Sequence, residues 1–550
     1  MTRADWLPAA VAAIGVVGIV AAGSAVPAPS EAVAPLRTQT QPLSGAVQAC
    51  PAALDAPEAS TDVAAQALED PGITVDADAS GVIDLVPLGD DGPGAEALES
   101  TSERGTTLST AVQSAVAVRA AGALAPGIVA ETTTTAAGER SIGLASQPCV
   151  EPGREWWFAG GSGGVGRRGT LVLTNSSDGA AVVDVSVWTE QGLLAAAGTS
   201  DLGVPPGGTR TVALDAVASG AERSAVLVSA TVGRVGAALF LRDVDGADPI
   251  GLSWVTPSRA PARLAYVPGL PAFGERTLRL VNTGEEDAIV GLRALSGQGP
   301  FTPVGLEAID APAGQVVDVD LEAAGEEAFA LEVSSTQPVV SSVILRQTPS
   351  SGLGDLAVLG SASALDTIAA SRITSEDARS SRLVLTALPD AEANPGASPD
   401  ATPTATVTPT ATATPTVAAT PSATATPEES GEPDEFIDVT TPTTQVAVTL
   451  IGLDGAVLDS NVATIGLGTT DTFPLDLPEG STDAWVLVEP SQPGVVMAAR
   501  ETTSTVTTPD PLDPDAQREA FWLDVVPLRS TRVSVEVAPV VPDITAGLVP

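Results

Sequence analysis

Gly169–Trp188 reads GTLVLTNSSDGAAVVDVSVW, and Arg276–Leu295 reads RTLRLVNTGEEDAIVGLRAL. The two stretches superpose: Leu171 falls on Leu278 and Asn175 on Asn282, each 107 positions further on. The register persists through VPPGGTRTVAL (Val204–Leu214) and DAPAGQVVDVDL (Asp310–Leu321), where Gly207 meets Gly314. Each copy closes on an apolar run ending in arginine, at Arg242 and Arg346. Inside a copy, apolar and polar residues alternate over short runs such as VVDVSVW, and SSDG, PPGG, TGEE and PAG separate the runs. That alternation marks antiparallel strands with one buried face. The unit length and number of runs predict an all-β chain of tandem immunoglobulin-like β-sandwiches. A single large β-propeller is the alternative.

A third copy is split. It opens with SRLVLTALPD (Ser381–Asp390), stops, resumes at TQVAVTLIGLDGAVL (Thr444–Leu458) and closes on Arg500. Between the halves, Ala401–Pro427 holds 11 Thr, 8 Ala and 5 Pro, with a proline every six residues from Pro403. Such a tract builds no packed core and favours extended chain. A surface insertion costs little, because closure entropy grows slowly with length. It therefore reads as a linker, residues 389–435, inside the third sandwich. APGIVAETTTT (Ala125–Thr135) is similar to PGVVMAARETT (Pro493–Thr503) and predicts a partial copy ahead of the array. The expected organisation is a partial β-repeat with an acidic, poorly ordered segment (46–150), sandwiches at 151–260, 261–366 and 367–515, and C-terminal strands at 516–550.

Composition narrows the chemistry. The 25 basic residues are all arginine, histidine is absent, and 68 acidic residues bring the net charge to −43. Without His or Lys, a Ser-His-Asp triad, a His-ligated metal, a P-loop lysine and a Schiff base cannot be assembled. A polyanion needs a basic face, so nucleic acid is not an expected partner. Carboxylate chemistry is what remains for an enzyme. No cofactor or metal is expected.

Leu7–Val26 reads LPAAVAAIGVVGIVAAGSAV, 20 residues without a charge, enough to span a bilayer as a helix. Arg3 precedes it, so residues 1–6 are expected in the cytoplasm and the bulk outside, behind a stalk at 27–45. The expectation is a single-pass protein of the cell membrane. Cleavage near Ala25, giving a secreted chain, is the alternative. In such a compartment Cys50 and Cys149 are expected to form a disulfide.

Several local patterns have plain structural readings. Gly160–Gly166 (GGSGGVG) matches both G-x-S-x-G and G-x-G-x-x-G, but no histidine can activate Ser162, and a strand rather than a helix follows. Asp243, Asp245 and Asp248 are too few for calcium and fit a solvated turn, as do Asp510, Asp513 and Asp515. Arg242, Arg346 and Arg500 hold equivalent positions and read as edge or inter-unit salt bridges. Asn175 and Asn282 start equivalent turns, where Asn bonds its own backbone. In Trp156-Trp157-Phe158, alternation sends Trp156 and Phe158 to one face and Trp157 to the other. One face fills a core; the other packs between domains or stacks on a sugar ring, making Trp156 and Trp157 candidate glycan contacts.

CPAAL, QPCVEPGREWWF and LVLTNSSDGAAVVDVSVWTEQG resemble an actinobacterial family of uncharacterised exported envelope proteins, defined as a domain of unknown function. The resemblance spans about residues 45 to 525 outside the linker. It implies membrane anchoring, β-rich domains and an envelope role, and it carries over no catalytic residue. The functional expectation is a non-catalytic envelope scaffold or protein-interaction module. The alternatives are an array of carbohydrate-binding modules and a carboxylate-dependent glycan-active enzyme.

Overall fold

The alternation in Ala181–Thr189 buries Val183, Val185 and Val187 and turns Val182, Asp184 and Ser186 outward. The same arithmetic runs through the whole chain and yields strands almost everywhere. The computed structural model describes residues 39–389 and 442–537, apart from 54–55, 70–71, 73–79, 90–91, 196–197, 350–351 and 511–512. The chain divides into two units, residues 1–42 with 534–550, and residues 43–533. Within the first, Gln39–Pro42 pairs antiparallel with Ser534–Val537, so the strand at Gln39 falls inside the expected stalk.

The larger unit holds four two-sheet sandwiches with one topology. Counting eight main strands along each, one sheet runs first-sixth-third-fourth and the other fifth-second-seventh-eighth. In the first sandwich these are Gly45–Cys50, Ala59–Ala67, Gly81–Pro87, Glu99–Thr101, Leu108–Val112, Val116–Gly122, Ile128–Ala137 and Ile142–Pro148. The same order recurs from Glu155–Phe158 to Asp248–Val255, from Ala262–Leu270 to Asp355–Gly360, and from Ala369–Thr374 to Asp513–Pro527. In the third copy the sixth and seventh strands run on as one, Phe329–Gln347. The described part of the first copy is thus a full eight-strand sandwich where a partial repeat is expected. The similarity of Ala125–Thr135 to Pro493–Thr503 has a topological basis, because both enter the seventh strand of their copy.

Each sandwich closes on its own apolar core: Val63, Ile83 and Val118 in the first; Leu171, Val185 and Val228 in the second; Leu278, Leu292 and Leu331 in the third; Leu383, Val446 and Val486 in the fourth. A propeller blade is a single sheet, so the enclosed cores make these units sandwiches. The strands leading up to the linker and away from it, Ser380–Ala387 and Thr443–Ile451, are the second and third of the fourth sandwich. Residues 390–441 lie outside the described residues. WLDVVP lies in the last strand, which completes the fourth sandwich by pairing with Val496–Asp510.

No helix among the described residues is long and apolar enough to cross a membrane. The one α-helix described, Leu214–Val217, is a single turn, whereas a span takes about 20 residues. This corrects the expected single-pass membrane localisation. Residues 1–26, which carry that expectation, lie outside the described residues.

Cys50 and Cys149 form a disulfide that ties the first strand of the first sandwich to its exit. The pair is 99 residues apart, and the chain-entropy account gives such a loop about 4–5 kcal/mol. Cys149→Ser is therefore expected to lower the unfolding free energy by about 2–5 kcal/mol in denaturant titration. A change below about 0.5 kcal/mol would show that neighbouring packing alone closes this sandwich.

Candidate functional site

The four sandwiches meet in a closed cycle. First and second pack through Ala136, Ala145, Phe240 and Trp254. Second and third pack through Trp157, Trp188, Val281 and Val340. Third and fourth pack through Tyr266, Leu295, Leu388 and Met497. Fourth and first close the cycle through Trp485, Ile451, Ala64 and Leu68. Trp157, Trp188, Trp254 and Trp485 sit at these seams. Trp254 Nε1 donates to Thr134 Oγ1 across the first seam, and Trp485 Nε1 to Thr107 Oγ1 across the last, both at 3.2 Å.

At the middle lies one carboxylate. Asp355 opens the last strand of the third sandwich and is 1% exposed. Its Oδ2 accepts the N–H of Leu144 at 2.9 Å and of Leu523 at 3.0 Å. Its Oδ1 accepts the N–H of Leu252 at 3.1 Å and of Leu356 at 2.9 Å. Those leucines lie on the closing strands of the first, fourth, second and third sandwiches, so one side chain is bonded to all four. The strands align as Gly143-Leu144, Gly251-Leu252, Asp355-Leu356 and Trp522-Leu523. A Cβ at Gly143 or at Gly251 would stand 2.5 Å from Asp355 Oδ1, so glycine is what lets these strands approach. Burial pushes the Asp355 pKa well above the ordinary carboxylate range, and the four N–H groups offset part of that.

A second buried cluster fastens the fourth sandwich to the first. Arg500 Nη1 donates to Glu131 Oε1 at 2.7 Å and Nη2 to Asp524 Oδ2 at 2.6 Å. Ser371 Oγ donates to Glu131 Oε2 at 2.7 Å, and the N–H of Ser146 to Asp524 Oδ1 at 3.0 Å. Burial raises the Asp524 pKa against the pull of Arg500, while Glu131 and Asp524 together outweigh burial at Arg500 and raise its pKa.

The equivalent arginines all reach a neighbouring sandwich. Arg346 pairs with Asp243 of the second at 3.0 Å, Arg500 with Glu131 of the first, and Arg242 donates to the Arg140 carbonyl of the first at 3.1 Å. Arg346 borders a cavity of about 480 Å³ between the second and third sandwiches. There Arg279 holds Asp318 through two bonds of 2.8 Å, and Arg167 holds Asp243 at 3.2 Å. The Gly160–Gly166 loop forms part of the wall. Ser162 Oγ donates to the Ala221 carbonyl and accepts from the Gly164 N–H, which pins the loop, and the strand Arg167–Thr174 follows.

Asn175 and Asn282 sit in identical roles. Their amides donate to the carbonyls of Gly179 and Val204, and of Glu286 and Ala311, while their Oδ1 atoms accept from Ser177 and Gly284. Asp243 is held by Arg167 and Arg346, Asp248 by Arg518 at 2.9 Å, and Asp510 lies 3.9 Å from Arg518. Trp156 packs against the core of the second sandwich and donates Nε1 to the Val235 carbonyl at 2.9 Å. Phe158 is inside that core. Trp157 is 7% exposed, rests on Trp188 with centroids 5.5 Å apart, and donates Nε1 to Glu155. The alternation of faces is as the sequence implies, and the outer face is covered by the third sandwich.

Sequence reasoning passes over Asp355, Glu131 and Asp524. The recurring x-Leu of the closing strands is the only signal for the first, and it becomes visible once IGL at Ile142 and at Ile250 are set side by side.

A model of a family of unknown function (DUF5719) matches residues 101–414, more than half of the chain. The match runs from the fourth strand of the first sandwich into the linker. No curated protein and no solved structure matches.

Proposed function

We propose that this chain, which belongs to the DUF5719 family of unknown function, is a non-catalytic frame that holds partners of the cell envelope at fixed spacing. The supporting observation is the bonding of all four sandwiches to one buried carboxylate, Asp355. Domains joined by small polar interfaces move relative to one another by default. Here four aromatic or aliphatic seams and a shared central acceptor oppose that motion. Three further buried acids are committed to this fastening: Glu131 and Asp524 hold Arg500, and Asp243 holds two arginines. A glycan hydrolase needs two carboxyl groups free to face one bond about 5–10 Å apart. The resemblance to uncharacterised actinobacterial envelope proteins supports envelope partners.

The reading is tested by incubating the full chain with purified envelope polysaccharide and peptidoglycan and assaying both sedimentation and new reducing ends. Association without new reducing ends is the expected result. Release of reducing ends that stops when a cavity carboxylate is replaced would overturn the reading in favour of an enzyme.

A further inference from the structure

Among the described residues, Arg529 has no ion-pair partner. It lies just past the last strand of the fourth sandwich, half-buried, and donates through Nη2 to the Pro257 carbonyl at 2.8 Å. A guanidinium has five N–H donors, and this is the one bond described for it. Burial alone lowers its pKa, to about 10, and no carboxylate opposes the shift. Two other arginines whose pKa burial lowers feel nearby acids and are better satisfied: Arg104, near Glu69, donates to the carbonyls of Leu68, Ala123 and Pro126, and Arg276, near Glu326 and Asp320, donates to two carbonyls while lying over the Phe329 ring. Among the described residues no acid pairs with Arg529: Glu151, Glu155 and Asp366 line the adjoining cavities, but Glu151 is held by Arg532, Glu155 accepts from Trp157, and Asp366 acts on Arg259.

What surrounds it is space. Two cavities of about 240 and 440 Å³ adjoin there, and Arg529, Ser530 and Trp156 line both. The Trp156 N–H is already bonded to Val235, so the side chain offers its ring and not a donor. Ser530 Oγ accepts from the N–H of Asp366 at 2.8 Å and of Thr367 at 3.3 Å, which leaves its own proton free to donate. A fork of N–H donors matches a carboxylate bidentately. An aromatic ring beside polar donors suits a ligand with an apolar face and hydroxyls.

We infer that Arg529, Ser530 and Trp156 form a binding site for a carboxylate carried on a sugar ring. The inference does not rest on the frame reading, since a rigid frame that binds no acidic sugar remains a frame. It places glycan contact at Trp156 with Arg529, because Trp156 lines both cavities, whereas Trp157 borders only the larger and is packed against Trp188.

The test is calorimetric titration of the full chain with a glucuronate-terminated disaccharide, its neutral glucose counterpart and inorganic phosphate. Saturable binding of the acidic disaccharide is expected, at least tenfold tighter than either control. Arg529→Gln is expected to weaken it at least tenfold, and Trp156→Phe about threefold. If Arg529→Gln shifts the Tm, the control ligands on the native chain and Trp156→Phe decide. No binding of the acidic disaccharide, equal binding of the neutral one, or unchanged affinity in a stably folded Arg529→Gln chain would overturn the site. Phosphate binding as tightly would overturn the sugar assignment.

Discussion

Asp355→Ala is expected to lower the unfolding free energy by more than about 4 kcal/mol at pH 5, since each orphaned buried donor costs about 1–3 kcal/mol. Four N–H groups lose their acceptor at once, one from each sandwich. Asp355→Asn is no rescue, because its amide nitrogen would face two of those donors. The loss should also divide the molecule. Trp254 reports the seam of the first two sandwiches and Trp485 the seam of the fourth with the first. In the native chain their fluorescence should change at one denaturant concentration, and in Asp355→Ala at two. Coincident transitions with a shift under about 1 kcal/mol would show that the apolar seams alone hold the cycle. The pH dependence has a defined sign. Burial raises the folded pKa of Asp355, so its titration contributes stability fully below the unfolded value of about 4, and that contribution is lost as pH rises through the folded value. The gap between native and Asp355→Ala chains should therefore narrow from pH 4 towards neutrality.

Arg500→Met is expected to cost about 3–5 kcal/mol, because it leaves buried acids without their cation. Glu131 and Asp524 are both nearly sealed from solvent, and Arg500 is the cation bonded to each. The effect should be strongly non-additive. Adding Glu131→Gln and Asp524→Asn removes both uncompensated charges and keeps oxygens that accept from Ser371 Oγ and from the Ser146 N–H. The triple variant is therefore expected to regain at least half of the loss, as read by equilibrium unfolding. A triple variant no more stable than Arg500→Met would mean that shape, and not stranded charge, sets the cost.

Period-two alternation, Gly and Asn at turns and the 107-residue register made the strands of the second and third sandwiches legible, because all of these act within a few residues. The inter-unit role of the repeated arginines was legible from their equivalent positions. The completeness of the first sandwich was not: its strands carry alanine and threonine where the later copies carry leucine and valine, as in IVAETTTTAA. Asp355 was also hidden. An acid at the start of DLAVLG looks like any strand opening, and its role depends on three leucine N–H groups at Leu144, Leu252 and Leu523, from 103 to 211 residues away. Arg529 carries no sequence signal, since having no paired acid among the described residues is a property of its surroundings. By itself the sequence determined the β class, the repeat, the place of the linker within a copy and the chemistry its missing side chains forbid. Only the tertiary structure decided that the copies close into a cycle, which acids fasten it and which arginine borders two cavities without an ion pair among the described residues. Strand formation follows from local pattern, whereas burial, counter-charge and hydrogen-bond completion are set by groups the chain brings together from afar.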